Sequence, residues 1–380
     1  MIGIGMRDLE TAVVGAGVVA DRHLFALQQC PHTELVAICD LDADRARNAA
    51  TEYGITSYFD MDDLLDREDL DWVHVCTPVQ THVPLSLQAI EAGVPVQIEK
   101  PVTETIEEFR EIESAASSHD VPVSVVQNHL FGPAMREVRR RLDAGDVGAI
   151  QGIDMIYPGT TEPSRENRGA WAFELPGGEF EEGIPHPIYT ALDVGGYPRS
   201  VEDIQATTSL FGEYDQPFEY DGAQVQYITE DDALCSIKLL SGGPVPQNLL
   251  HIYGERASLT VDIVSQTVIP LDRRYISSAV NRALNNVDHA LARTKGTIDA
   301  FRLFAQSKLR DDWETTKRIE SHCYQIDVEA RALLNGSAMP IPLDHAEWTT
   351  HIVEAIRARS AAEAGSSAEA ADESSEIRNV

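Results

Sequence analysis

Residues 13–23 read VVGAGVVADRH and residues 94–101 read VPVQIEKP. In the first, an apolar run meets Gly15-x-Gly17-x-x-Ala20 and passes straight into a helical pattern, so strand, tight turn and helix follow one another. In the second, about 80 residues on, a short apolar run ends on Glu99-Lys100-Pro101. Such a run, without alternation, reads as a strand buried on both faces, the condition of a parallel sheet covered by helices. TAVVGAG, ELVAICD, DWVHVCTP, VPVQIEKP and VPVSVVQNH read as strands. The helical patterns between them include ADRHLFALQQC, DADRARNAATEYG, HVPLSLQAIEAG and TIEEFREIESAASSHD. Alternation of this kind with short loops predicts an α/β domain, a Rossmann doubly wound parallel sheet, over residues 1–130.

Beyond residue 131 the rhythm changes. SVEDIQATTSL, GAQVQYI, ALCSIKLLS, QNLLHIYG and ASLTVDIV are strand-like and have no helices between them. They predict an α+β domain with an open, mostly antiparallel sheet over residues 131–362. Helical patterning returns at 276–334, and a helix at 344–362 is expected either in this domain or packed back on the first. Residues 363–380 are small, polar and acidic, and are expected to be disordered.

A chain of 380 residues fits two domains. Its net charge of −32 argues against nucleic acid and anionic membranes as partners, because phosphates are repelled. Five lysines stand against 25 arginines, and the excess of acid suggests adaptation to a salt-rich cytosol, where repulsion is screened. The cysteines Cys30, Cys39, Cys76, Cys235 and Cys323 are scattered, which predicts neither a disulfide framework nor a zinc site, and no metal is expected. The start, MIGIGMRDLE, lacks a signal-peptide pattern, and no apolar run approaches the ~20 residues of a membrane span. The expected location is cytoplasmic.

The glycine turn has a physical reading. Gly15 permits the turn, and Gly17 lets a pyrophosphate approach the helix N-terminus, with Val18 and Val19 lending backbone there. Asp40 ends the next strand, 23 residues beyond Gly17, where a carboxylate bonds ribose hydroxyls and repels a 2′-phosphate. NAD is therefore expected over NADP, with Arg45 and Arg47 as the residues that would reverse the preference. Thr77, Pro78 and His82 are assigned to a loop along the nicotinamide end, beside Glu99 and Lys100.

In GGEFEEGIPHPIYTALD, His186 stands between two prolines and is predicted to cap the following helix, whose dipole disfavours imidazolium and leaves a proton acceptor. With Lys100 as an ammonium stabilising a developing alkoxide, the pair suits hydride transfer at a secondary alcohol. The roles of the two groups as acid and base can be exchanged. Glu182 is placed with Lys100 and His186 in the catalytic group, and Glu182, Asn128, Arg168 and Trp171 are the candidates for holding substrate, Trp171 by stacking on a sugar face.

Taken together, AVVGAGVVADRHLFAL, CTPVQTHVPLSLQAIEAGVPVQIEKP, GGEFEEGIPH, YGERASLTVD and EAIRARSAA resemble the glucose–fructose oxidoreductase/inositol dehydrogenase/MocA family of NAD(P)-dependent dehydrogenases. The resemblance implies a sugar, cyclitol or sugar derivative as substrate, a homo-oligomer (dimer or tetramer), Lys100 as the lysine of the Glu-Lys-Pro motif and His186 as the second-domain histidine. One departure is that Glu182 stands where the family has aspartate, four positions before the histidine. An NAD-dependent glycosidase, a non-catalytic dinucleotide sensor and a dehydrogenase of nucleotide- or lipid-linked sugars remain as rivals. Residues 273–310 carry eight Lys/Arg against two Asp, either a helix packed on acidic surface or a collar for a phosphate-bearing substrate.

Overall fold

The computed structural model describes residues 8–159, 169–215, 218–243, 247–271, 279–310 and 312–377. The chain divides into two compact units. The first comprises residues 1–140, 265–267 and 288–347; the second comprises 141–264, 268–287 and 348–380.

The first unit alternates as expected: β1 (Leu9–Val14), α1 (Ala20–Gln29), β2 (Thr33–Cys39), α2 (Ala43–Tyr53), β3 (Thr56–Tyr58), α3 (Met61–Arg67), β4 (Trp72–Val75), α4 (His82–Glu91), β5 (Val96–Ile98), α5 (Ile106–His119) and β6 (Val123–Val125). The sheet order is β3-β2-β1-β4-β5-β6 with every pairing parallel, so the order reverses between β1 and β4. In open sheets of this kind the ligand sits outside the carboxyl ends of the strands at that reversal. Two apolar layers cover the sheet. One contains Val75, Ile98, Phe109 and Ile112; the other contains Leu24, Leu27, Ile38 and Trp72, and it also takes Cys323, Ile326 and Ala330.

The second unit continues from α6 (Pro133–Asp143) into β7 (Ile150–Pro158), α7 (Phe180–Gly183) and α8 (Pro185–Gly195). β8 (Gln205–Ser209), β9 (Gly222–Ile228), β10 (Leu234–Leu240), β11 (Leu249–Gly254), β12 (Ser258–Asp262) and β13 (Thr267–Leu271) follow without a helix between them. The sheet order is β13-β12-β11-β7-β10-β9-β8, with β7 parallel to β10 and the β12–β11, β11–β7, β10–β9 and β9–β8 pairs antiparallel. Burial alternates along β9 and β10: Val225, Tyr227, Cys235 and Ile237 are buried, while Ile228 and Leu234 are exposed. Leu234 is 65% exposed on that open face.

Four helices complete the chain: α9 (Ala279–Leu309), α10 (Trp313–Ile319), α11 (Ser321–Asn335) and α12 (Asp344–Ile377). Two expectations need correction here. Residues 131–362 are not one block, because α11 turns Cys323, Ile326 and Ala330 into the core of the first unit. Likewise Ala346 belongs to a first-unit core layer, while α12 from Trp348 onward groups with the second unit. The last helix also runs past residue 363 to Ile377, so helix occupies most of the segment expected to be disordered. Residues 363–377 hold four alanines and four glutamates, both favourable to helix, beside four serines and one glycine. Among the described residues no helix is long and apolar enough to cross a membrane.

Candidate active site

Four strand ends of the first unit converge on the expected chemistry. Backbone hydrogen bonds carry the ladder one residue past the strands: Gly15 N–H donates to Cys39 O, Cys76 N–H to Val14 O and Glu99 N–H to Val75 O. Gly15, Asp40, Thr77 and Lys100 thus lie at or just beyond one edge of one sheet.

Gly15 has φ +99°, and a Cβ there would stand 2.6 Å from the carbonyl oxygen of Cys76. Only glycine fits that turn. A Cβ at Gly17 would meet nothing within 4 Å, so its outer side is open. No side chain caps the N-terminus of α1, and Val18 beside it is 79% exposed. An uncapped helix start with open backbone is the arrangement that takes a pyrophosphate, so these residues fit a dinucleotide. Asp40 accepts hydrogen bonds from Ala16 N–H (2.6 Å) and Asp42 N–H (2.7 Å). Both arginines that would favour NADP are engaged elsewhere. Arg45 pairs with Asp42 at 3.4 Å; Arg47 pairs with Asp44 at 3.4 Å and lies over the Phe59 ring.

Thr77 and Pro78 occupy the loop after β4, where Thr81 Oγ1 donates to Thr77 Oγ1 at 2.8 Å. His82, expected beside the cofactor, has both ring nitrogens bonded within the protein. Its ring is buried, with Nε2 2.9 Å from Thr77 O and Nδ1 3.1 Å from Val102 O. It therefore ties the loop after β4 to the loop after β5 and shapes the site from within. Burial lowers its pKa against the pull of those carbonyls.

Glu99 is buried, and Lys100 is partly exposed. One Glu99 oxygen accepts Lys100 N–H at 2.9 Å; the other lies 3.1 Å from His23 Nε2. Burial by itself raises the Glu99 carboxyl, but the hydrogen bond and charge of His23, together with Lys100, hold it at about 2. His129 was not anticipated. Burial, reinforced by the charge of Lys100, holds its imidazole at about 4, so it is neutral at physiological pH. Asn128 is buried and donates to Ser321 Oγ at 3.1 Å, which anchors the start of α11.

In the second unit His186 lies in the first turn of α8 rather than at its cap; Ile184 is the cap and Pro185 the first helical residue. His186 Nδ1 lies 2.7 Å from the hydroxyl of Tyr189, a buried side chain one turn on. Sequence reading missed Tyr189, although its i+3 spacing was visible. Glu182 is buried and lines a hollow with Tyr157, Phe180, Phe218 and Ser241. Its neighbour Glu181 has a structural task, gripping Arg357 through Nε (2.7 Å) and Nη2 (2.5 Å) and taking the Tyr220 hydroxyl. Trp171 sits in a 3-10 turn, Ala170–Glu174, partly buried. Arg168 lies outside the described residues, as does the side chain of Val280 in the basic stretch. Leu284, Val287 and Leu291 of that stretch face outward on α9, Leu291 being 62% exposed.

Residues 9–127 match the family described as "Oxidoreductase family, NAD-binding Rossmann fold". The chain is 30% identical over 254 residues to D-glucoside 3-dehydrogenase of Escherichia coli K12, covering 62% of this chain and 68% of that one. It is 34% identical over 145 residues to inositol 2-dehydrogenase 4 of Saccharopolyspora erythraea, covering 37% and 43%. The chain spans less than two thirds of several other curated relatives, namely 42%, 38% and 53% of their lengths. Among solved structures, the WlbA dehydrogenase of Bordetella pertussis in complex with NADH and UDP-GlcNAcA shares the fold. Its TM-score is 0.75 at 18% identity, over 94% of this chain and 96% of that one.

Proposed function

We propose, since this chain belongs to the NAD-binding glucose–fructose oxidoreductase/inositol dehydrogenase/MocA family of oxidoreductases, that it interconverts a secondary alcohol and a ketone on a sugar-like small molecule. The observation that carries the reading is the position of Lys100, one residue past the sheet edge on which Gly15, Gly17 and Asp40 form a dinucleotide cradle.

Gly17, Val18 and Val19 hold the pyrophosphate, and Asp40 takes the ribose hydroxyls, which favours NAD over NADP. When bound, NAD supplies the hydride acceptor or donor. In the oxidation direction His186 accepts the hydroxyl proton, its ring oriented by Tyr189, and Lys100 stabilises the negative charge that grows on the oxygen. Glu182, one of the carboxylates lining the hollow with Tyr157 and Ser241, orients a substrate hydroxyl; Trp171 offers a stacking face. The open face of the seven-stranded sheet, with Leu234 exposed, is where a second copy packs to give a homo-oligomer.

The test is NAD+ reduction followed at 340 nm across a panel of glucosides, inositols, aldonates and UDP-linked uronic acids. Net NADH formation with one class, abolished in Lys100→Ala and His186→Ala, is the expected result. Turnover without net NADH points to a glycosidase cycle, and cofactor binding without turnover on any member points to a sensor.

A further inference from the structure

His23, Glu99 and His322 come from distant parts of the sequence and meet inside the first unit. His23 is on α1, Glu99 ends β5 and His322 opens α11. One ligand atom from each lies within 4.8 Å of the other two. His23 Nε2 is 3.1 Å from Glu99 Oε1, and His322 Nε2 is 4.0 Å from the same oxygen. His322 retains 20% exposure at its side chain, while His23 and Glu99 are buried. We propose that these three side chains form a binding site for a single divalent transition cation, zinc foremost.

Two imidazole nitrogens and one carboxylate oxygen are a ligand set zinc takes, with water completing four-coordination, whereas magnesium and calcium prefer oxygen alone. An outer partner stands behind the His23 ring, whose Nδ1 is 2.9 Å from His74 Nδ1. Metal-bound histidines are oriented in this way through the nitrogen that does not bind. Bonds of about 2.1 Å in a tetrahedral site set ligand atoms about 3.4 Å apart, so rotation of the partly exposed His322 ring must bring its Nε2 in from 4.0 Å of Glu99.

The hydrogens balance. With His23 neutral and no cation bound, His23 Nε2–H donates to Glu99 and His74 Nδ1–H donates to His23 Nδ1. This leaves His74 Nε2 without a partner, and Gln97 Oε1 is likewise buried without one. His74 and Gln97 are cross-strand neighbours in register on β4 and β5. When a cation takes His23 Nε2, the hydrogen of His23 moves to Nδ1, where it donates to His74 Nδ1, and that of His74 moves to Nε2. Two hydrogens are held before and after.

The site adjoins the proposed chemistry, since Glu99 also accepts the backbone N–H of Lys100, and it joins α1 and α11 to the end of β5. The test uses untagged, chelator-treated full-length protein titrated with Zn2+ and with Co2+ in excess Mg2+, which occupies surface carboxylates. The expected result is one equivalent bound at micromolar affinity or tighter, a Co2+ band between about 500 and 650 nm, and a raised melting temperature. His322→Ala should weaken binding by about 100-fold while keeping the helical circular dichroism, and His322→Cys should restore it. Absence of a saturable equivalent, or equal affinity in a folded His322→Ala, overturns the site.

Discussion

The carboxylate of Asp40 accepts the backbone amide of Ala16 at 2.6 Å, so the residue assigned to the ribose also fastens the glycine turn to the end of β2. Asp40 has two tasks, and its removal should show both. Asp40→Ala is expected to weaken NADH binding about tenfold and to narrow the preference over NADPH, because the repulsion of a 2′-phosphate disappears with it. Fluorescence titration of both cofactors at molar salt checks this; an unchanged ratio rejects the assignment.

The two glycines of the turn should fail differently. Gly15→Ala forces a Cβ against Cys76 O at positive φ, which costs about 1–3 kcal/mol and lowers the melting temperature. Gly17→Ala meets no protein atom within 4 Å, so its stability should be unchanged while NADH affinity falls. Equal melting losses in both variants would contradict this geometry.

Tyr189 orients His186, so Tyr189→Phe should reduce turnover about tenfold, less than the roughly 10²–10⁴-fold loss expected for His186→Ala. The Michaelis constant should move little, since the hydroxyl contacts the base and not the substrate. Steady-state kinetics on the best substrate of the panel provides the comparison.

Glu329 gives the fold a pH dependence. It is buried on α11, where Gln97, Ser124 and Gln325 donate to it, yet burial outweighs them and pushes its carboxyl up to about 7. The folded state therefore holds a proton that the unfolded state releases near 4.5. Its contribution is fully present below that value and is lost as pH rises through about 7, a difference of roughly 3 kcal/mol. Glu329→Gln should flatten stability between pH 5 and 8 and make the protein more stable at the upper end. Urea melts at a series of pH values read this directly.

With 62 acids against 30 bases, self-repulsion should destabilise the fold in dilute buffer. The melting temperature is expected to rise from low salt to molar KCl. A flat response would make the acidity incidental.

The sequence by itself determined the parallel sheet, the glycine turn and the place of Lys100, because each rests on local signals: apolar runs, turn residues and helix caps a few positions apart. It also located His186 and the helix it opens, missing the cap by two residues. What it could not supply is the company those residues keep. His82 is visible as a histidine near a proline, but only the packing of the loops after β4 and β5 pins both its nitrogens to carbonyls. The return of α11 to the first unit follows from an apolar face whose partners on α1, about 300 residues earlier, leave no mark in its own sequence. The cluster of His23, Glu99 and His322 is of the same kind. Metal-ligand spacing is readable when ligands share a loop or helix turn; here they are spread across the chain, and burial against one sheet is what brings them within reach.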